Sequence, residues 1–211
     1  MPDFELENKK EGLVVGIDEA GRGPWAGPVV AGAVVFLTHD VDEYLLKNLD
    51  DSKKLSAKKR EILYDKLFQA RDEGKLLLGI GEAEVEEIDR LNILQATFLA
   101  MQRAVEALPQ KPDFAYVDGN QKPKGLYCDC QTVIKGDARS YSIAAASIAA
   151  KVYRDRLMRK LGEIYPMYGF EKNAGYGTKL HIDGLRQYGV VEGVHRKSYR
   201  PIAEILQKNA A

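Results

Sequence analysis

Three short apolar runs in this chain each lead into an aspartate. LVVGI precedes Asp18, DFAYV precedes Asp118 and QTVIKG precedes Asp137. Runs of this length, rich in Val and Ile or aromatic residues and bounded by Gly, Pro and Asp, read as strands. Each aspartate is therefore expected at the C-terminal end of a strand. A charge beside a buried strand is costly to desolvate unless something pairs with it. In open α/β sheets that same rim is where ligands collect. Three acids converging there repel one another unless a cation neutralises them. Hard ions such as Mg²⁺ and Mn²⁺ take oxygen ligands. Two of them close together can activate a water and stabilise the leaving oxygen of a phosphodiester. Glu19, directly after Asp18, is a fourth carboxylate within reach.

The rest of the chain fits an α/β sheet. LVVGI and PVVAGAVVF are two β-branched runs joined by the glycine-rich DEAGRGPWAG, which suits a hairpin. SAKKREILYDKLFQARDEG has Ser56 as N-cap and apolar residues at helical spacing. KLLLGIGEAEV reads as a third strand, and NILQATFLAMQRAVEAL as an amphipathic helix capped by Asn92. DFAYVDG and QTVIKGD are the fourth and fifth strands, the latter expected to reach Asp137. SIAAASIAAKVYRDRLMRKLGEIY is a long helix whose alanine-dense start suits close packing on a sheet, with shorter helices expected near 178–188 and 199–207. Antiparallel at its start and parallel afterwards, this is a mixed five-stranded sheet flanked by helices. One catalytic domain over 1–211 is expected, with a helical C-terminal portion from about 165.

The 211 residues hold no apolar run long enough to cross a bilayer, and the start lacks a basic-then-apolar leader pattern, so a cytoplasmic protein is expected. Cys128 and Cys130 are too close in sequence to suggest a disulfide and too few for a zinc site. The net charge is zero but unevenly spread: from Lys135 onward there are 14 basic and 7 acidic residues, an excess of +7. Lys151, Arg154, Arg156, Lys179, His195 and Arg196 fall in that part and are candidates for sequence-independent contacts to a polyanion.

The stretches GIDEAGRGPWAGPVVAGAVV, DSKKLS, YVDGN, KGDARSYSIAAASIAAKVYRDRLM and GYGTKLH, in this order, resemble the ribonuclease HII family, the type 2 ribonucleases H. The likeness runs from about residue 12 to about 200, with Trp25 where Leu is more usual. It implies the ribonuclease H-like α/β fold. It also implies endonucleolytic cleavage of the RNA strand of RNA–DNA hybrids, and of duplex DNA 5′ to a single embedded ribonucleotide. The ends left are a 3′-hydroxyl and a 5′-phosphate. The family's carboxylates fall on Asp18, Glu19, Asp118 and Asp137, expected to hold two divalent ions, Mn²⁺ or Mg²⁺. The implied use is removal of ribonucleotides and RNA primers during replication and repair, by a monomer that needs no membrane.

The resemblance also gives Gly21–Arg22–Gly23 and Tyr176 a role in reading the sugar. Telling RNA from DNA requires contact with a 2′-hydroxyl. Glycines let backbone approach a ribose closely, Arg22 suits a flanking phosphate, and a ring packed on the next sugar favours a deoxyribose there. Ser52 and Lys53 of DSKKLS are candidate phosphate contacts. The alternative is another metal-dependent nuclease on the same fold; the glycine triplet and GYGT argue against it.

Overall fold

The computed structural model describes residues 1–50, 52 and 54–209. Strands β1 (Val14–Ala20), β2 (Val29–Phe36), β3 (Leu76–Ala83), β4 (Phe114–Asp118) and β5 (Asp129–Val133) form one sheet in the order β3-β2-β1-β4-β5. β1 and β2 are an antiparallel hairpin pair, whereas β1–β4 and β4–β5 are parallel. The helices are α1 (Glu43–Asn48), α2 (Ala57–Asp72), α3 (Val85–Leu91), α4 (Ile93–Glu106), α5 (Tyr141–Ile164), α6 (Phe170–Asn173), α7 (Lys179–Tyr188) and α8 (Arg200–Asn209). Among the described residues no helix is long and apolar enough to cross a membrane.

The chain groups into two units. One comprises Met1–Ala20, Val30–Glu82 and Phe98–Val152; the other comprises Gly21–Val29, Ala83–Thr97 and the chain from Tyr153 onward.

In the first unit, strand glycines bring helices onto the sheet. A Cβ on Gly16 would lie 2.3 Å from the Ile143 nitrogen, and one on Gly32 would lie 2.4 Å from the Ala146 carbonyl oxygen. Only hydrogen fits there, and the matching stretch of α5 is nearly all alanine, with Ala144, Ala145, Ala146, Ala149 and Ala150 buried. Gly79 and Gly81 of β3 do the same for α4, at 2.1 Å from the Ala104 oxygen and 2.3 Å from the Ala100 oxygen. Ser56 caps α2 by accepting from the Lys59 amide, and Asn92 caps α4 by accepting from Leu94 and Gln95.

The fifth strand departs from expectation. It begins at Asp129 and ends at Val133, so it does not reach Asp137. Lys135 takes a left-handed conformation (φ 55°), which an extended strand cannot continue through, and Gly136–Ala138 form a 3₁₀ turn. Asp137 therefore stands in a turn after β5. α1 and α3 had no clear periodicity and went unforeseen.

In the second unit a separate core forms around Ala26, Met158, Tyr168, Phe170, Leu185, Val194 and Ile202.

Candidate active site

Asp18 is the centre of the acidic site. It lies on β1, one position beyond the Ile17–Val117 pair, so Asp118 follows in step on the neighbouring strand. It is two residues after Gly16, on the face against α5. Only 6% of Asp18 is exposed. One of its oxygens accepts from the Glu19 amide at 2.7 Å, and its side chain is hydrogen-bonded to Ser147 of α5. Ser147 in turn shares a 2.9 Å hydroxyl–hydroxyl bond with Ser52, which is 4% exposed. The glycines that bring α5 down onto β1 and β2 thus also deliver Ser147 to Asp18.

Burial drives the Asp18 carboxyl well above the usual range, and the charges of Glu19 and Asp118 push it further the same way. The Ser147 hydroxyl and the Glu19 amide oppose this. Burial and like charge are the state that a bound cation would relieve.

Asp118 ends β4. Its Oδ1 accepts from the Gly136 amide at 2.7 Å. Asp137, 7% exposed, follows Gly136 directly. The 3₁₀ turn that carries Asp137 is thus tied at Gly136 to the Asp118 strand end. Asp18, Glu19, Asp118 and Asp137 all belong to the same unit. Among the described residues no three Asp, Glu, His or Cys side chains form a ready-made ion cluster. Close carboxylates repel, and Glu19, next to Asp18 on β1, starts from the opposite face of the pleat. The oxygen-rich donor set still suits hard divalent ions.

Ser52, foreseen as a phosphate contact, lies within the Ser147 network. Lys53 lies outside the described residues. Ser147 itself was not foreseen; its position four residues after Ile143, one turn along an alanine face, is the signal that marks it.

The other candidates fall in the second unit. Gly21 has φ +99°, and a Cβ there would lie 2.0 Å from the Arg154 Nε. Only glycine fits, on both counts. A Cβ on Gly23 would sit 3.3 Å from Cε1 of Tyr176, so the ring lies within a methyl group's reach of the loop. Tyr176 is 52% exposed. Arg22 is exposed at the loop's tip.

Three basic candidates are corrected. Arg154, His195 and Arg196 are 1%, 0% and 0% exposed and face no solvent. Arg154 donates to the carbonyls of Pro28, Ala174 and Ala26 at 2.9–3.0 Å. A guanidinium engaged this way is an internal clamp and offers nothing to a phosphate. Lys179 is exposed and paired with Asp183.

Comparison with known proteins bears on this geometry. The family profile described as Ribonuclease HII matches residues 15–201. The chain is 52% identical over 205 residues to ribonuclease HII of Jannaschia sp., covering 97% of this chain and 98% of that one. It is 53% identical over 210 residues to ribonuclease HII of Gluconobacter oxydans, covering 100% and 99%. Among solved structures it resembles ribonuclease H2 from Pyrococcus horikoshii, with TM-score 0.75, 30% identity and coverage of 93% and 98%. It also resembles RNase HII of Archaeoglobus fulgidus, solved in complex with PCNA, with TM-score 0.67, 26% identity and coverage of 89% and 95%.

Proposed function

Since this chain belongs to the ribonuclease HII family, and is thus a ribonuclease H endonuclease acting on RNA paired with DNA, we propose that it also cuts duplex DNA 5′ to a single embedded ribonucleotide. The products are a 3′-hydroxyl and a 5′-phosphate. Asp18, Glu19, Asp118 and Asp137 hold two divalent ions, Mg²⁺ or Mn²⁺. The observation that carries this reading is the Asp18 carboxyl, buried beside Glu19 and Asp118, whose ionisation burial and both like charges oppose. Two ions held by these carboxylates would supply an activated water and a counter-charge for the 3′ leaving oxygen.

The chain's own residues prepare that site. Ser147 and the Glu19 amide orient the Asp18 carboxylate. The Gly136 amide orients Asp118 and sets the turn that carries Asp137. Gly21–Gly23 offer backbone to the 2′-hydroxyl, Arg22 meets a flanking phosphate, and the Tyr176 ring packs on the next sugar. Ser52 and Lys53 are assigned to phosphate contacts. The cellular use is removal of ribonucleotides and RNA primers from DNA.

The test is an end-labelled duplex with one embedded ribonucleotide. Mg²⁺ or Mn²⁺ should give a single cut on its 5′ side, chelator none, and an all-deoxy duplex none. Cutting in chelator, or cutting only within continuous hybrids, rejects the proposal.

A further inference from the structure

Two consecutive residues, His195 and Arg196, reach both halves of the sugar-reading surface. The segment runs alongside the loop: His195 bridges Ala26 in antiparallel fashion, and the Arg196 amide donates to the Trp25 carbonyl at 2.8 Å. Neighbouring side chains on such a segment point opposite ways.

Arg196 takes the loop. Its Nη2 donates to the Gly21 carbonyl at 2.6 Å, and its Nη1 donates to the Arg22 and Pro24 carbonyls at 3.1 and 2.8 Å. Its Nε and Nη2 both reach the Gly27 carbonyl, at 2.9 and 2.8 Å. A guanidinium is the side chain with five donors in one rigid plane, and an ammonium cannot replace it here. In a trans peptide the N–H points opposite to the preceding carbonyl. Drawing the Gly21 and Arg22 carbonyls toward Arg196 therefore turns the amides of Arg22 and Gly23 away from it, as donors for an incoming oxygen.

His195 takes Tyr176, through His181. Nδ1 of His181 lies 3.0 Å from the Tyr176 carbonyl, which only accepts, so Nδ1 carries the proton. Burial keeps both imidazoles neutral. Nε2 of His181 is then an acceptor, and Nε2 of His195, 3.1 Å away, donates to it. That leaves Nδ1 of His195 to accept from the Val191 amide at 3.0 Å. Both tautomers are fixed, and one directed chain runs from Val191 to the Tyr176 carbonyl.

We propose that His195 and Arg196 are positioning residues for sugar selection. Arg196 presents the amides of Arg22 and Gly23 to the ribonucleotide, and His195, through His181, sets the main-chain position from which the Tyr176 ring projects. This rests on the reading of Gly21–Gly23 and Tyr176 as the sugar-reading surface.

Three quantities test it: kcat/KM on a duplex with one ribonucleotide, the inhibition constant of the matching all-deoxy duplex, and the kcat/KM ratio of the single-ribonucleotide duplex to a continuous hybrid. Arg196→Lys should lower the first by about tenfold or more, the weight of one or two hydrogen bonds, and leave the second unchanged. Should Arg196→Lys fold poorly, Arg196→Gly supplemented with methylguanidinium should recover kcat/KM, whereas methylammonium should not restore it. His195→Gln should lower the ratio in the same direction as Tyr176→Ala. A folded Arg196→Lys enzyme with wild-type kcat/KM overturns the proposal, as does a loss matched by equally weakened all-deoxy binding. Equal recovery with methylammonium, or an unchanged ratio in His195→Gln, also overturns it. If Tyr176→Ala itself leaves the ratio unchanged, the underlying reading fails and this proposal with it; if only the His195 and Arg196 variants are silent, the reading survives without the proposal.

Discussion

Asp18 and Gly32 face each other across the β1–β2 pair, and the residue opposite the buried carboxylate has no room for a methyl group. The space is taken by the α5 backbone at Ala146, next to Ser147. Gly32→Ala must push that helix back, at a cost of ~1–3 kcal/mol for overpacking. It should also loosen the Ser147 bond to Asp18. Thermal unfolding and turnover should both fall. A variant with a lower melting temperature but full activity shows that Ser147 is not needed at Asp18.

Asp18→Asn separates function from stability. It removes a charge that burial and two carboxylates already oppose. Cleavage should drop to background while the melting temperature stays level or rises, a trade expected where an active site is built at the expense of stability. Near-normal turnover at saturating Mg²⁺ or Mn²⁺ argues that Asp18 is no ligand.

Tyr176→Ala should slow cleavage at a single ribonucleotide more than cleavage within a continuous hybrid. In the hybrid the next sugar already carries a 2′-hydroxyl, so the ring contributes less. The difference should be within ~1–3 kcal/mol, the range of aromatic stacking contacts in single-strand binding. The ratio of kcat/KM values on the two substrates measures it and cancels any loss of active protein. Equal slowing on both makes Tyr176 a packing residue.

Acid should weaken the fold through the histidine pair. Burial, then the neighbouring His181, lowers His195 to about 4, and burial lowers His181 as well. An imidazole in the unfolded chain titrates near ~6.5. Below that pH the unfolded state binds protons that the folded state refuses, so this contribution is complete above pH ~6.5 and is lost as pH falls toward about 4. For His195 alone the full span is on the order of 3 kcal/mol. Denaturant unfolding from pH 7.5 to 4.5 should show a steeper decline in the wild type than in His195→Gln. Parallel curves place the acid sensitivity elsewhere.

The sheet was legible because β1 and β2 are β-branched runs and β4 closes on Asp118, and α2 and α4 because their caps, Ser56 and Asn92, stand where periodicity begins. Asp137 was expected at the end of the fifth strand and stands instead in the turn after it, because a chain bend at Lys135 leaves no mark in a β-branched run. Ser147 hid among alanines, since a lone hydroxyl on a small-residue face looks like one more small residue. The error over Arg154 and Arg196 has a different source. A count of charges along a chain cannot distinguish a cation in solvent from one caged by carbonyl groups, because the carbonyls belong to every residue and carry no signature of their own.

The Arg196 clamp also sets a timetable for synthesis. Its partner carbonyls, from Gly21 to Pro28, lie 168 to 175 positions earlier in the chain. At ~5–20 residues per second, a ribosome needs roughly 10–35 s to travel from one to the other. Throughout that interval the loop following the first strand has been made, and Arg154, which reaches only its Ala26 and Pro28 carbonyls, is the first of the two guanidinium clamps to arrive. A nascent chain stalled before Arg196 carries its Asp18–Glu19 pair ahead of a loop whose Gly21, Arg22 and Pro24 carbonyls still lack their guanidinium, so the sugar-reading role proposed for that loop waits on a residue made long after it.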